Sequence, residues 1–234
     1  MSDPGFARLQ ARLQARHGER LTAAQWNRLV GVVSLEAFLA RARETSLVTW
    51  LEGVDPRGDV HHLEERMRLA WIRHVERVAG WTPEAWRDAV RWWAVLPDLE
   101  VAAWRARRSG PDHAWFARLE GLERLEMPAD VTDPFAWWIE AWRDHWPDGG
   151  ADERTWSALT RLARQVVATL GAGEPAGSTD WIGAQPRVLL ERQFRKQALR
   201  PGAVFIHLGL AALELLRLRG ALCRRALFVH AEAA

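Results

Sequence analysis

Read from its apolar and polar positions, the chain is a succession of helices. The longest apolar stretch lies near the end, Val204 to Leu216, and only His207, Gly209 and Glu214 interrupt it. Beyond it the pattern turns amphipathic, with Arg217, Arg219, Arg224 and Arg225 set among leucines. A helix that is apolar on every side belongs inside a core. This one is too short and too polar to cross a bilayer, which takes ~20 consecutive apolar residues. Ala203 to Phe228 therefore predicts a central helix, core up to about Leu216 and facing solvent or a partner from Arg217 onward.

Start and stop signals place the other helices. Ser2-Asp3-Pro4 opens the first, with Phe6, Leu9 and Leu13 on one face and Gly18 as its stop. Thr22 caps Ala23–Val30, and Ser34 caps Leu35–Glu44 with Leu35, Phe38 and Leu39 inward. Gly53 to Gly58 reads as a loop, and Asp59 opens a helix to about Val78. Thr82-Pro83 reads as a cap followed by Pro at the first helical position, opening a helix to about Ala94. Pro97-Asp98 opens another that carries Leu99 and ends at Ser109-Gly110. Asp112 starts a helix through Leu125, Asp133-Pro134 one to Trp146, and Asp152 one to Leu170. Residues 171–178 form a Gly-rich linker, and Arg187–Leu199 is helical up to the Pro201-Gly202 break. Strand-like alternation is absent, so the fold class is all-α: a bundle of about ten to twelve helices.

Composition narrows the function classes. At 234 residues the chain can bury roughly 70% of its unfolded surface without a metal or disulfide staple. Cys223 is the only cysteine, which fits a reducing compartment. The N-terminus lacks the apolar segment of a signal peptide. Lys196 is the only lysine, and the net charge is +2, little for a nucleic-acid binder. The chain has 15 Trp and no Tyr, so aromatic packing rests largely on Trp.

Candidate chemistry is sparse. His61 and Glu65, with His62 beside them, have helical spacing, but no His-Glu-x-x-His or Cys/His set completes a metal site. Asp112-His113 and Asp144-His145 are neighbours that cannot face each other on a helix. The glycines at 171, 173 and 177 follow no strand and precede no Gly-Lys-Ser/Thr, so they make a linker rather than a phosphate cradle. Trp92-Trp93 and Trp137-Trp138 invite comparison with stacking platforms, but successive helical residues point about 100° apart; core packing fits better. Thr82-Pro83-x-Ala-Trp and Asp133-Pro134-x-Ala-Trp echo each other, a match that chance supplies in a chain this rich in Ala and Trp. Arginines cluster at Arg105, Arg107 and Arg108 and at Arg217, Arg219, Arg224 and Arg225. They suit helix C-termini, or an acidic protein or anionic lipid surface. No catalytic set, metal site or cofactor site emerges.

Three stretches together resemble the C-type subunit of the V/A-type rotary ATPases (the d-type subunit in eukaryotes). Phe6-Ala7-Arg8-Leu9, followed by Ser34-Leu35-Glu36-Ala37-Phe38-Leu39 and Glu44-Thr45, is similar to the family's first helices. Pro97-Asp98-Leu99 with Trp104-Arg105-Ala106-Arg107 is similar to its acid-Leu helix. Glu214-Leu215-Leu216-Arg217-Leu218-Arg219 is similar to its Glu-x-x-x-Leu-Arg closing helix. Family members are longer and combine three similar helical units into a funnel. This chain holds two such units, and the Asn that precedes Leu in the family's unit-ending helices is replaced, at Ala102 and Leu216.

The resemblance implies a non-catalytic rotor adaptor that couples the central shaft to the membrane proteolipid ring. It would be cytoplasmic and peripheral on the inner face of the membrane, bind no nucleic acid and need no cofactor. Residues 1–110 would form the first unit, 111–170 variable middle helices, 171–182 a linker, and 183–234 a closing unit packed on the N-terminal helix. The expected core includes Phe6, Leu9, Leu35, Phe38, Leu39, Leu99, Leu213, Glu214 and Leu216, and the two arginine clusters would meet partners. The competing expectation is a shortened relative that acts as a soluble helical binding module or assembly factor.

Overall fold

The computed structural model describes residues 4–107, 127–147, 153–171 and 184–229. Every regular element among them is helical. The α-helices are α1 (Pro4–Gly18), α2 (Ala23–Val30), α3 (Leu35–Arg43), α4 (Val60–Trp81), α5 (Arg87–Arg91), α6 (Leu99–Ala106), α7 (Pro134–Asp144), α8 (Glu153–Gly171), α9 (Ala184–Lys196) and α10 (Gly202–Val229). Short 3-10 turns cover Ser46–Trp50, Glu84–Trp86 and Trp92–Asp98. The helix expected over 112–125, the linker from residue 172 onward and Arg108 lie outside the described residues.

α10 is the axis of the molecule. It packs against α1, α3, α4, α8 and α9, and every residue from Ala203 to Leu213 is buried. A continuous apolar core runs from Phe6 to Ala226 and joins the expected first and closing units. Gly209 lets α10 approach its neighbours closely. A Cβ there would sit 3.3 Å from Val166 of α8 and 3.4 Å from Leu190 of α9. The expected core residues Phe6, Leu9, Leu35, Phe38, Leu39, Leu99, Leu213 and Leu216 are all buried; Glu214 is half-buried.

Several boundaries follow from capping. Thr22 forms a capping box with Gln25, Ser34 accepts from the Ala37 N–H, and Asp133 accepts from the Ala136 N–H. Thr82 corrects the expectation: it closes α4, its hydroxyl donating to Val78 O at 2.8 Å, and caps no helix N-terminus. The two Thr/Asp-Pro echoes are therefore structurally different. The expected helix to Ala94 is short, and a 3-10 stretch follows it. Pro97 lies inside that stretch, and α6 opens directly after Pro97-Asp98, as expected, with Asp98 at its N-cap. Lacking an N–H, Pro97 cannot satisfy the carbonyls one turn back. The Trp71 indole N–H takes them instead, 3.3 Å from Trp93 O and 3.1 Å from Ala94 O. Asp98 pairs with Arg68 at 2.8 Å.

Trp86, Trp93, Trp138, Trp142 and Trp146 form one aromatic layer against α10. Phe205 of α10 touches Trp86, Trp93, Trp142 and Trp146 at ring distances of 4.9–6.2 Å. Trp93 and Trp138 are buried in this layer; they are core residues with no face for a nucleobase. Among the described residues, no helix is long and apolar enough to cross a membrane.

Candidate functional site

Two features carry chemistry: a polar cleft beside α10 and a basic face on α9. The cleft lies where α1, the Ser46–Trp50 turn, α4 and α10 meet, and its free volume is about 40 Å³. At roughly 10–15 Å³ per water-sized occupant, that holds a few waters or one small ion. His207 enters it from the apolar stretch of α10, and His74 from α4, one turn beyond Trp71. Their rings stack at 5.6 Å, and Trp50 lies 4.7 Å from His74.

Burial, then the guanidinium of Arg20, pushes both imidazoles down, His74 to about 3 and His207 well below its ordinary value. Both are neutral near pH 7. Arg20 donates to His207 O at 3.4 Å, and burial lowers its own pKa, an effect Glu214 partly offsets. The Glu214 carboxylate accepts from the Trp50 indole at 3.2 Å. Glu214 is thus a polar member of the cleft, in correction of its expected place in the core. Both nitrogens of His207, the Nε2 of His74 and the Ser46 hydroxyl are sealed without a hydrogen-bond partner.

The second feature follows α9 to its C-terminus. Leu190 and Phe194 point inward, while Val188, Leu189, Arg192, Gln193, Arg195 and Lys196 are exposed. Within α9 this outer face has no carboxylate; Glu191 lies off it, paired with Arg187 at 2.8 Å. Just past the helix, Leu199 holds φ 63 and is 45% exposed, beside exposed Arg200. That left-handed conformation usually falls to Gly at a helix C-terminus. The Leu199 N–H donates to Gln10 Oε1 at 3.2 Å, tying the turn to α1. Arg192, Arg195, Lys196 and Arg200 join no ion pair among the described residues.

The sequence-derived arginines distribute differently. Arg105 ends α6 half-buried, and Arg107 follows it exposed. Arg217, Arg219, Arg224 and Arg225 do not sit at a helix end, because α10 continues to Val229. Arg217 covers the Trp26 ring at 4.7 Å, Arg219 pairs with Glu64, and Arg224 is exposed. Arg225 is buried. Its guanidinium donates to Val30 O, Val32 O and Ala221 O at 2.6–2.8 Å, so its donors are spent inside the protein. Leu218, Ala221, Leu222 and Ala226 are buried too. The expectation that α10 leaves the core at Arg217 is therefore corrected: one face stays buried to its last turn.

The other candidates resolve into structure. His62 Nε2 accepts from the Asp55 N–H at 3.3 Å, and a Cβ at Gly58 would run into its ring. His62 thus fixes the loop before α4. His145 closes α7 and lies 4.6 Å from Trp92. Cys223 donates to Glu64 at 3.5 Å, and burial, then Glu64, pushes its thiol up to about 11. The Arg219 guanidinium lowers it but is outweighed. Among the described residues no group of His, Cys, Asp and Glu is arranged to hold a metal ion.

Sequence reading missed His74, whose lone position in an amphipathic helix carries no signal. It also missed the α9 face, where Arg192-x-x-Arg195-Lys196 beside Val188-Leu189 was available at helical spacing. No family model, no curated protein and no solved structure matches this chain.

Proposed function

We propose that the chain is a non-catalytic docking protein whose α9 face seats an acidic protein surface. In its specific form, that partner is the rotor of a V/A-type ATPase, where the chain links the central shaft to the proteolipid ring. The observation that carries the docking reading is the outer face of α9. Four cations without ion-pair partners among the described residues surround Val188, Leu189 and the left-handed Leu199. Exposed apolar residues ringed by charge of one sign are suited to a partner of opposite charge with an apolar pocket. A bulky residue held in a costly backbone conformation and displayed to solvent is a further mark of a contact site.

The rotor assignment draws support from the order of the sequence motifs and from the return of α10 onto α1, the arrangement expected of a closing helix. It entails a peripheral position on the cytoplasmic face of the membrane, reached through protein contacts.

The test is co-purification of the tagged full chain with the ring and shaft subunits of the host V/A-type ATPase. Wild type should be retained with them, and the triple variant Arg192→Glu/Arg195→Glu/Lys196→Glu should lose retention while melting at the wild-type temperature. A chain that binds neither ring nor shaft overturns the rotor assignment. A triple variant retained as well as wild type overturns the role of the α9 face.

A further inference from the structure

α1 and α9 lie side by side and run in opposite directions. Three contacts, in order, fix this. The Arg187 guanidinium donates to Leu21 O at 3.1 Å, the His17 ring lies 5.0 Å from the Phe194 ring, and the Leu199 N–H donates to Gln10 Oε1 at 3.2 Å. Two helices packed this way leave a shallow channel above their line of contact. The helical repeat identifies its walls.

On α9, Val188, Arg192, Arg195 and, just past the helix, Leu199 are spaced by four, three and four residues, and all are exposed. That spacing sets them in one line about 16 Å long. The line is apolar at each end and basic between. It borders α1: burial lowers the His17 pKa, and the charges of Arg20, Arg187 and Arg195 lower it further, against the pull of Glu191. On α1, Gln10 and His17 face α9. Next round the helix toward solvent come Ala7, Ala11 and Gln14, all exposed. At the end of this wall a Cβ on Gly18 would meet nothing within 4 Å. α1 contains no carboxylate, and Glu191 of α9 is paired with Arg187.

A second helix matches this geometry. Its side chains along one face follow the same four-three-four spacing, so a line of apolar, acid, acid and apolar residues meets the α9 line residue by residue, whichever way the helix runs. A strand presents a residue to one face every ~6.6 Å. It falls out of step with α9, whose residues in the line lie about 6, 4.5 and 6 Å apart along the axis. The small alanines of α1 let a helix come close, since side-chain size at the contact sets the distance between helix axes.

We propose that the channel between α1 and α9 seats an acidic amphipathic helix of the partner, with the pattern apolar-x3-acid-x2-acid-x3-apolar turned toward α9. This rests on the docking reading of the α9 face and gives the partner its form. The two apolar residues cover Val188 and Leu199, and the two carboxylates pair with Arg192 and Arg195.

The probe is a fluorescein-labelled, alanine-based peptide of about 18 residues, five helical turns, carrying Leu-x3-Glu-x2-Glu-x3-Leu. Its control has the same composition with those four residues scattered round the helix. Fluorescence anisotropy is read against the full chain at about 0.1 M chloride. The patterned peptide should bind saturably and gain helix by circular dichroism, and the control should bind at least about tenfold more weakly. Arg192→Glu/Arg195→Glu should lose binding, and a peptide with Lys in place of its two Glu should prefer that variant to wild type. Ala11→Phe, on the opposite wall, should weaken binding about tenfold while the protein melts at the wild-type temperature. No saturable binding, or equal binding of patterned and scattered peptides, overturns the helical partner. Unchanged binding by Ala11→Phe overturns its seat between the two helices. Capture of mixed phosphatidylcholine/phosphatidylserine vesicles in place of the peptide overturns the proposal in favour of a lipid surface. If the peptide fails while the Arg192/Arg195/Lys196 triple variant still loses co-purification, docking on α9 stands and only the helical partner falls. A triple variant that co-purifies like wild type removes docking itself.

Discussion

Trp92 and Trp138 hold each other's backbone. The Trp92 indole donates to Trp138 O at 3.1 Å, and the Trp138 indole donates to Trp92 O at 3.3 Å. This reciprocal clasp joins the 3-10 stretch after α5 to α7. Trp138→Phe keeps an aromatic ring but deletes one half and strands the Trp92 carbonyl. It should cost about 1–3 kcal/mol in urea unfolding. Trp137→Phe, at the half-buried neighbour, should cost less than half as much. Equal effects would show that ring packing, not the clasp, sets the energy.

Stability should fall with acid. His74 and His207 have folded pKa values depressed below the ordinary 6.5 by burial and by Arg20, with Arg16 and Arg77 also facing His74. Their neutral forms are compatible with the fold, whereas their protonated forms place new charge beside guanidiniums. The stabilisation is complete above pH 6.5, where the unfolded imidazoles are neutral too. It drains as pH falls from 6.5 toward about 3, the folded value at His74. His207→Leu removes one of the two groups, so its melting temperature should drop less between about pH 7 and pH 4.5. An unchanged slope would exclude His207 as a source of acid sensitivity.

Neighbouring arginines on α10 should behave as opposites. Arg225 stays charged, although burial pulls its pKa down to about 10, and it satisfies three carbonyls from inside the protein. Arg225→Met should destabilise by about 2–4 kcal/mol, because the carbonyls of Val30 and Val32 lose a charged donor. Arg224→Met, at an exposed site, should stay within ~0.5 kcal/mol of wild type. Chemical denaturation of both variants decides the matter.

Leu199 offers the clearest trade between stability and binding. Its φ of 63 costs roughly 1 kcal/mol relative to a residue at ease there. Leu199→Gly should therefore raise stability by about 0.5–1 kcal/mol. The same change removes the apolar tip of the α9 face, so it should weaken retention on the proposed rotor partner. A variant that is more stable and binds equally well would show that the leucine is tolerated strain only.

The helices were legible because their signals are local. Thr22, Ser34, Asp59 and Asp133 each cap the helix expected of them, and the apolar run of α10 announced its own burial. Failures began where a residue answers to something distant in sequence. Thr82 reads locally as a helix opener, yet Val78 determines what it does. Arg225 has the pattern of a solvated cation, and only the arrival of the α2–α3 turn reveals its acceptors. The cleft was invisible for the same reason: Arg20, Ser46, His74 and His207 come from four separate segments, and no spacing links them.

The position of α10 has a consequence for how the protein is made. A ribosome adding ~5–20 residues per second releases α10 after every helix that packs on it. Until then Trp93, Trp142 and their neighbours lack Phe205 as a lid, and α1 and α4 lack the surface that joins them. This core cannot close before α10 emerges, and until then a chaperone able to shield exposed tryptophan has the most to cover.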